Sequence, residues 1–211
     1  MNGIDLEPNA SSRSDRASWR IIGLTGGIAT GKSTVANYLA QTYHLPVLDA
    51  DIFAREAVEP PSPILEQIRQ RYGDTILQAD GTLDRPELGA IVFDRPEERQ
   101  WLEGRIHPYV RRRFEEAISN YRKSDRPMVL AIPLLFEARM TDLVSEIWVV
   151  SCSRIQQQER LMKRDRLTRE QAIARIESQM PTAEKCDRAN WVLDNSSTPH
   201  IWIEQLKAAL R

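Results

Sequence analysis

The most informative segment of the sequence is Gly26-Gly-Ile-Ala-Thr-Gly31-Lys32-Ser33, which satisfies the pattern G-x-x-x-x-G-K-[ST]. It follows a short β-rich run at residues 20–25 and precedes Val35, Tyr38 and Leu39, which are apolar residues at helical spacing. Glycines permit a close backbone turn, and the dipole of the following helix favours an anion at its N-terminus. The pattern predicts a strand, a phosphate-binding loop and a helix, with a plain glycine-rich turn as the alternative.

The loop pattern also assigns separate tasks to its side chains. Lys32 would bridge the β- and γ-phosphates of a nucleotide. Ser33, taken as the first residue of the helix, would coordinate Mg²⁺, and Thr34 would hydrogen-bond an inner phosphate. Backbone N–H groups supply the other contacts, and almost any residue type carries one. The residues predicted to bind the nucleotide are Gly26, Gly27, Ile28, Ala29, Thr30, Gly31, Lys32, Ser33 and Thr34.

Length and composition limit the chain to one soluble domain of ordinary size. It has 211 residues, of which 41% are hydrophobic and 28% are charged, a balance that excludes wholesale disorder. The formal net charge is −1, so no bulk positive field indicates nucleic-acid or membrane binding. The longest apolar stretches, such as residues 128–135, are far shorter than the roughly 20 residues needed to span a bilayer. We expect neither a nucleic acid nor a membrane as partner.

The N-terminal segment and the two cysteines indicate where the protein works. Residues 1–18 are rich in Ser, Asn and charge and lack the apolar core of a signal peptide, so we expect a disordered tail and no export. Cys152 and Cys186 cannot form a disulfide framework or a short-spaced zinc site, and they are typical of buried thiols in a reducing compartment. The sequence thus predicts a cytoplasmic protein. We expect it to be a monomer or a weak homo-oligomer.

Four further apolar runs indicate the other strands of an α/β fold. Each is short, as buried parallel strands are. Together with residues 20–25 they predict a five-stranded parallel sheet flanked by helices, which is the architecture of P-loop NTPases. The runs are residues 129–132, 147–150, 191–193 and, more weakly, 46–48.

Between residues 60 and 127 the sequence shows no convincing strand but repeated helix starts. Asp84 and Asp94 each stand three residues before a Glu, which is a signature of a helix N-terminus. Residues 60–126 are therefore predicted to be a helical insertion within a domain that spans residues 19–211.

A pair of carboxylates stands where a parallel sheet binds ligands. Asp49 and Asp51 follow the run 46–48, and ligands of open parallel sheets lie at the carboxyl ends of the strands. If the strand continues to Asp51, both side chains share one face and can point into the cleft. The run 129–132 ends without the Asp that holds magnesium in most P-loop hydrolases, so the acid must come from elsewhere. A helix N-cap is the alternative role for these residues.

A basic segment downstream is predicted to form a lid that closes on a triphosphate. Residues 154–175 carry seven basic side chains against three acidic ones. Arg160 and Arg164 stand four apart, so a helix would align them along one edge. Thr168 and Gln171 have the spacing of a capping box, which predicts a helix start inside the segment. A solvated basic helix is the alternative.

With the phosphate loop, the acid pair and the basic lid in hand, the sequence resembles the dephospho-CoA kinase family over about residues 20–207. The Asp-Ala-Asp-x-x-Ala-Arg run at residues 49–55 and the Pro-Leu-Leu-Phe-Glu run at 133–137 distinguish this family from other nucleotide kinases. The other matching segments are residues 24–36, Leu83-Asp-Arg85, Val92-Phe93, His107-Pro108, Gln158-Glu-Arg-Leu161 and Arg164.

The resemblance implies transfer of the γ-phosphoryl group of ATP, bound with Mg²⁺, to the ribose 3′-hydroxyl of dephospho-CoA. This reaction is the last step of coenzyme A synthesis. The resemblance implies that Asp51 accepts the hydroxyl proton and that Lys32, Arg160 and Arg164 complete the catalytic set.

The same resemblance implies which residues contact each of the two substrates. Asp49, Asp51 and Arg55 would contact the acceptor, and Asn195 would lie near the adenine of ATP. The kinase core would comprise residues 19–59 and 127–211, the helices of residues 60–126 would form the CoA side, and residues 154–180 would form the lid.

The sequence departs from the family pattern in three places. Ala29-Thr30 stands where the family often has Gly-Ser, which restricts the loop and can shift nucleotide affinity. Arg166 replaces a glycine that is common in the lid turn, and Asn190 replaces an Asp that often precedes Trp191. None of these changes removes a candidate catalytic group.

Several alternatives stay open at this point. The chain could be another small-molecule kinase acting on a nucleoside or nucleotide, or a nucleotide-binding switch without catalysis. A GTPase switch is disfavoured, because the sequence has no Asn/Thr-Lys-x-Asp motif. His107-Pro108 is interpreted as a structural corner in preference to a catalytic base, and Arg111-Arg-Arg113 as a solvated helix face in preference to a phosphate or nucleic-acid contact.

Overall fold

The computed structural model describes residues 20–93, 95–121 and 126–211. The tail predicted for residues 1–18 and the helix cap predicted at Asp94 therefore lie outside the described residues. Among the residues that are described, no helix is both long and apolar enough to cross a membrane.

One sheet of five parallel strands forms the centre of the fold. A strand is present at each predicted apolar run, and the predicted fold class is confirmed. The strands are β1 (Ile21–Gly26), β2 (Val47–Asp49), β3 (Met128–Ala131), β4 (Glu146–Ser151) and β5 (Trp191–Asp194). They lie side by side in the order β2-β3-β1-β4-β5, with Leu24 of β1 between Ala131 of β3 and Trp148 of β4.

Helices cover both faces of this sheet. They are α1 (Lys32–Tyr43), α2 (Ala50–Glu56), α3 (Pro63–Tyr72), α4 (Arg85–Phe93), α5 (Pro96–Tyr121), α6 (Arg154–Asp165), α7 (Arg169–Glu177), α8 (Thr182–Asp187) and α9 (Pro199–Leu210). Two predicted helix starts are confirmed: the Asp84 carboxylate accepts a hydrogen bond from the Glu87 N–H at 3.0 Å, and Thr168 and Gln171 form the capping box of α7.

Alternate residues of the strands fill a separate core on each face of the sheet. Val129 and Ala131 of β3 point to the face covered by α1 and α9. Leu130 points to the other face, where it packs with Phe53 of α2 and Phe114 of α5, whose rings meet edge to face with centroids 5.1 Å apart. Because both faces are covered, the strands are apolar without alternation.

The helical insertion carries a small core of its own. α3, a short 3-10 helix (Asp74–Ile76), α4 and the first part of α5 surround a cluster that includes Ile68 and Leu88. Within the described part of residues 60–126 there is no strand, only an isolated bridge between Leu77 and Leu83. The later part of α5 packs on the sheet instead, so this helix joins the insertion to the core.

The interpretation of His107-Pro108 as a corner was wrong. α5 runs from Pro96 to Tyr121 with Pro108 inside it, so the chain does not turn at this point.

The arginines of α5 were expected to form a solvated face, and that expectation was wrong for two of them. Arg111 makes hydrogen bonds of 2.7 and 3.0 Å to the Asp142 carboxylate. Arg113 pairs with Glu56, and its guanidinium lies over the Phe53 ring at 4.7 Å. These contacts tie α5 to α2 and to the segment between β3 and β4.

The strand order creates a crevice at the carboxyl ends of β1 and β3. The chain leaves β1 toward β2 but leaves β3 toward β4, so two adjacent strands send the chain in opposite directions. Ligands of open parallel sheets bind in such a crevice. The phosphate loop, residues 26–33, and the segment 133–137 follow these two strands.

Candidate active site

A cavity of about 790 Å³ opens at this crevice, a size typical of small-molecule sites. The phosphate loop forms one part of its lining, and the segment after β3 forms another. Residues of α5 from Leu102 to Val110 contribute an apolar wall that also carries Glu103 and His107. Asp51 of α2 and the lid residues Arg160 and Arg164 complete the lining.

The phosphate loop adopts the left-handed backbone at two positions. Gly31 has a φ of 102°, and any side chain there would collide with the amide nitrogen of Asn195. Ala29 has a φ of 61°, so its departure from glycine carries a conformational cost of about 1 kcal/mol. α1 begins at Lys32, one residue before the predicted start at Ser33. No side chain caps the N-terminus of α1, and the Gly31 carbonyl accepts from the Thr34 and Val35 N–H groups, so the N–H groups of Lys32 and Ser33 are the ones available to phosphate oxygens.

Lys32 buries its ammonium group beside the cavity. Its side chain is 11% exposed, and Nζ has no hydrogen-bond partner among the described residues. Asp49 Oδ2 lies 3.7 Å from Nζ, which is an ion-pair distance but too long for a hydrogen bond. Burying an ammonium with unsatisfied donors costs free energy, so this placement indicates an anionic ligand.

Asp49 combines the two roles that the sequence left as alternatives. Its Oδ1 accepts a hydrogen bond from the Asp51 N–H at 2.9 Å, so Asp49 is the N-cap of α2, while Oδ2 faces Lys32. The strand does not continue to Asp51, because β2 ends at Asp49 and Asp51 belongs to the first turn of α2. Asp51 still lines the cavity because α2 begins where the strand ends, and Asp49 lies outside the lining, against Lys32.

Asp51 lines the cavity and carries a perturbed carboxyl group. The Asp51 side chain is exposed to solvent in the open cleft. The surrounding protein nevertheless removes enough of the hydration of the carboxyl group to raise its pKa. The Lys32 charge opposes this rise in pKa, and the Asp49 charge reinforces it. An ionised carboxylate with a raised pKa is a better proton acceptor than an ordinary aspartate.

Arg160 braces the phosphate loop. Its guanidinium donates hydrogen bonds to the Asn195 carbonyl at 2.9 Å and to the Thr30 carbonyl at 3.5 Å. The Asn195 side-chain amide donates to the same Thr30 carbonyl at 2.9 Å. The structure thus places Asn195, which was predicted to lie near adenine, directly against the loop.

Arg164 lines the cavity and forms an ion pair with the adjacent Asp165. Asp165 accepts two hydrogen bonds from it, at 2.7 and 3.0 Å, and raises its pKa. The Arg164 charge reaches Asp51 and lowers the pKa of that carboxyl. Arg55 stands one turn after Asp51 on α2 and acts on it in the same direction, although Arg55 lies outside the cavity lining.

Two departures from the family pattern have a local physical explanation. Asn190 Oδ1 accepts a hydrogen bond from the Ile147 N–H at 2.7 Å, which an aspartate oxygen would also do. Arg166 ends α6 with a φ of 55°, in the left-handed region where glycine is the common residue.

Four residues near the loop were missed or left without a role by the sequence analysis, because distant segments bring them together. Gln157 and Gln179 hydrogen-bond to Ile28. Lys185 is fully buried and pairs with Glu137 at 2.8 Å. Only Glu137 had a signal, since it ends the Pro-Leu-Leu-Phe-Glu run.

The fold and the site together define a P-loop kinase. A phosphate loop follows the first strand, a buried lysine lies beside it, and a carboxyl group suited to accept a proton lines the same cavity as a basic lid helix. Phosphoryl transfer requires these parts because it depends on positioning and on stabilising negative charge.

The particular family follows from sequence similarity. The dephospho-CoA kinase family model matches residues 20–200. The dephospho-CoA kinase of Trichormus variabilis is 59% identical over 90% of this chain and 96% of its own length. That of Synechocystis sp. is 59% identical over 84% of this chain and 88% of its own length. The chain belongs to the dephospho-CoA kinase family and is an ATP-dependent kinase with a hydroxyl group as acceptor, as its sequence motifs predicted.

Solved structures support the same fold. The crystal structure of TT1252 from Thermus thermophilus is 37% identical, with a TM-score of 0.76 over 92% of this chain and 97% of that one. The dephospho-CoA kinase from Campylobacter jejuni is 27% identical, with a TM-score of 0.67 over 90% of this chain and 94% of that one.

Proposed function

We propose that this chain transfers the γ-phosphoryl group of ATP to the ribose 3′-hydroxyl of dephospho-CoA, the last step of coenzyme A biosynthesis. The observation that supports this most is the pairing of Lys32 and Asp51 at one cavity: an ammonium without a hydrogen-bond partner in the described residues, and a carboxyl with a raised pKa. The ammonium suits a phosphoryl group that carries developing negative charge, and the carboxylate suits a hydroxyl that must lose its proton.

ATP would bind with its phosphates on residues 26–34 and its adenine near Asn195. Lys32 would contact the β- and γ-phosphates, and the free N–H groups at the start of α1 would face the phosphate oxygens. Arg160 and Asn195 support this role because both hold the Thr30 carbonyl and so keep the loop in shape.

The residues present fit Mg²⁺ as the partner of ATP. Mg²⁺ prefers oxygen ligands and keeps several waters, so it needs few protein ligands beside the phosphates. Ser33 lies in the cavity lining, and no cluster of three or more His, Cys, Asp or Glu residues occurs among the described residues. When bound, Mg²⁺ would neutralise charge on the β- and γ-phosphate oxygens. We assign Ser33 as its protein ligand.

The acceptor would place its hydroxyl against Asp51, with Asp49 and Arg55 close by. The α5 wall of the cavity belongs to the helical insertion, which supports the assignment of residues 60–126 to the CoA side. Arg160, Arg164 and Gln179 line the same cavity, which supports the assignment of residues 154–180 to the lid. The net charge of −1 supports an enzyme that acts on small molecules without a nucleic acid or membrane as partner. We infer that it works in the cytoplasm as a monomer or weak homo-oligomer.

The two lid arginines should respond differently to substitution. Arg164→Gln is expected to lower kcat about tenfold with acceptor binding little changed, because its charge acts on the phosphoryl oxygens once the lid excludes water. Arg160→Gln should also lower kcat by at least about tenfold and in addition raise the KM for ATP, because Arg160 braces the loop. Steady-state kinetics with both substrates varied, plus direct binding of the acceptor, measure both effects.

A third lid arginine serves as the control for these two. Arg169 is exposed at the start of α7 and lies outside the cavity lining, so Arg169→Gln should keep wild-type kinetics. Wild-type kcat in both Arg160→Gln and Arg164→Gln, with earlier melting, would contradict the catalytic role of these two arginines and indicate a structural basic helix.

The proposed reaction is tested by screening acceptors for ADP release. Turnover should depend strictly on added dephospho-CoA, with little ADP formed from nucleosides, nucleotides or water. Turnover with a nucleoside or nucleotide instead would identify another small-molecule kinase. ATP binding without acceptor-dependent turnover would identify a nucleotide-binding switch.

A further inference from the structure

Ile28, the third residue of the phosphate loop, is held on both of its backbone polar groups by glutamines. The Gln157 side-chain N–H donates to the Ile28 carbonyl at 2.9 Å. The Gln179 Oε1 accepts from the Ile28 N–H at 3.0 Å. Each glutamine uses a different half of its amide, so together they satisfy one loop residue completely.

The two glutamines come from opposite ends of the lid. Gln157 lies in the first turn of α6, and Gln179 lies two residues after the end of α7. The lid segment 154–180 therefore leaves the sheet beside one glutamine and returns beside the other. Both ends of the lid meet at Ile28.

The loop backbone is pressed closely against this pair. A Cβ atom built on Gly27 would lie 2.5 Å from the Gln157 amide nitrogen and would also strike the Thr182 hydroxyl. Gln157 is only 4% exposed, so water cannot readily replace its hydrogen bond to the loop. A second cavity of about 440 Å³ is lined by Ile28 and both glutamines, and Ile28 and Gln179 also line the main cavity, so these two residues lie between the cavities.

We propose that Gln157 and Gln179 are positioning residues that clamp Ile28 and thereby couple the lid to the phosphate loop; this rests on the proposed binding of ATP at that loop. The loop contains three glycines within its first six residues and is intrinsically flexible. Its N–H groups bind phosphates well only if they already converge before ATP arrives. The two hydrogen bonds of the clamp connect the lid to the loop and keep the loop N–H groups converged. The position of the lid and the affinity for ATP therefore depend on each other.

The test is ATP-analogue binding by calorimetry, using the full chain and a non-hydrolysable ATP analogue without acceptor. Gln179→Met removes the acceptor of the Ile28 N–H while keeping the side-chain length. It should weaken analogue binding about tenfold and leave the KM for dephospho-CoA within twofold. Because Gln179 is only half-buried, this variant is expected to fold, and thermal melting checks that.

A second variant tests whether the two glutamines act as one unit. Gln157→Leu alone should weaken analogue binding by a similar factor. The loss of analogue affinity in the double variant should be well below the product of the two single losses, because both glutamines act on one residue. Amide hydrogen exchange should show that the analogue protects residues 154–180 in the wild type and no longer does so in either variant.

Gln171→Met is the matched control. Gln171 is a lid glutamine that completes the capping box of α7 and contacts no loop residue in the described structure, so its loss weakens the lid helix alone. It should keep wild-type analogue affinity. Unchanged affinity in Gln179→Met, or equal losses in Gln179→Met and Gln171→Met, would overturn the clamp. A wild-type protein that binds the analogue but does not phosphorylate dephospho-CoA would overturn only the proposed function, and one that binds no analogue would overturn both.

Discussion

Lys32→Ala is expected to lower kcat/KM for phosphoryl transfer by at least about 10³-fold, or roughly 4 kcal/mol of transition-state stabilisation. The Lys32 ammonium is buried beside the cavity without a hydrogen-bond partner in the described structure, so its charge is poorly screened and available to the transferred group. Negative charge moves during phosphoryl transfer, and a fixed cation in a dry site stabilises that movement far more than one in water.

Folding should survive the Lys32→Ala change. The alanine removes a buried charge whose donors lack partners, and Asp49 keeps its capping bond to α2, so the melting temperature should stay the same or rise. Lys207→Ala is the control, since Lys207 is an exposed lysine of α9 paired with Glu204, and it should keep wild-type activity. Coupled ADP-release kinetics measure both variants. Near-wild-type turnover in Lys32→Ala would contradict the assignment of this loop as the nucleotide-binding site.

Asp51→Asn is expected to lower kcat by about 10²- to 10⁴-fold while ATP binding is largely kept. The substitution preserves the shape of the side chain but removes the negative charge that would accept the hydroxyl proton. Loss of hydration raises the pKa of Asp51, so the acid-side fall of wild-type kcat/KM should lie at a higher pH than an unperturbed aspartate would give. Below that pKa the carboxyl is protonated and cannot accept a proton. The acid limb should disappear in Asp51→Asn.

Asp49→Asn distinguishes the roles of the two carboxylates. Asparagine also caps helices well, so α2 should keep its start, and only the ion pair with Lys32 is lost. We expect a smaller loss of kcat here than in Asp51→Asn. A larger loss would transfer the role of proton acceptor to Asp49, and a fall in ATP affinity alone in Asp51→Asn would make Asp51 part of the metal shell.

The features that could be predicted from the sequence are those encoded in contiguous stretches of the chain. The loop from Gly26 to Ser33 is recognisable because the turn, the anion site and the helix start all depend on neighbouring residues. The five strands are recognisable because strands covered on both faces are short apolar runs. The caps at Asp84 and Thr168 need only residues three apart. The family resemblance used the same contiguous motifs.

Only the folded structure shows how residues that are distant in the chain come together at this site. Burial of the Lys32 ammonium depends on the packing of other segments around it, and composition carries no signal for that. Arg160 and Arg164 are four residues apart, look equivalent in sequence and both line the cavity, yet Arg160 braces Thr30 whereas Arg164 pairs with Asp165. Gln157 and Gln179 meet Ile28 across more than a hundred residues of chain. A glutamine carries no charge or periodicity that reveals its partner, so only the folded geometry shows that these two amides complete the hydrogen bonding of one loop residue.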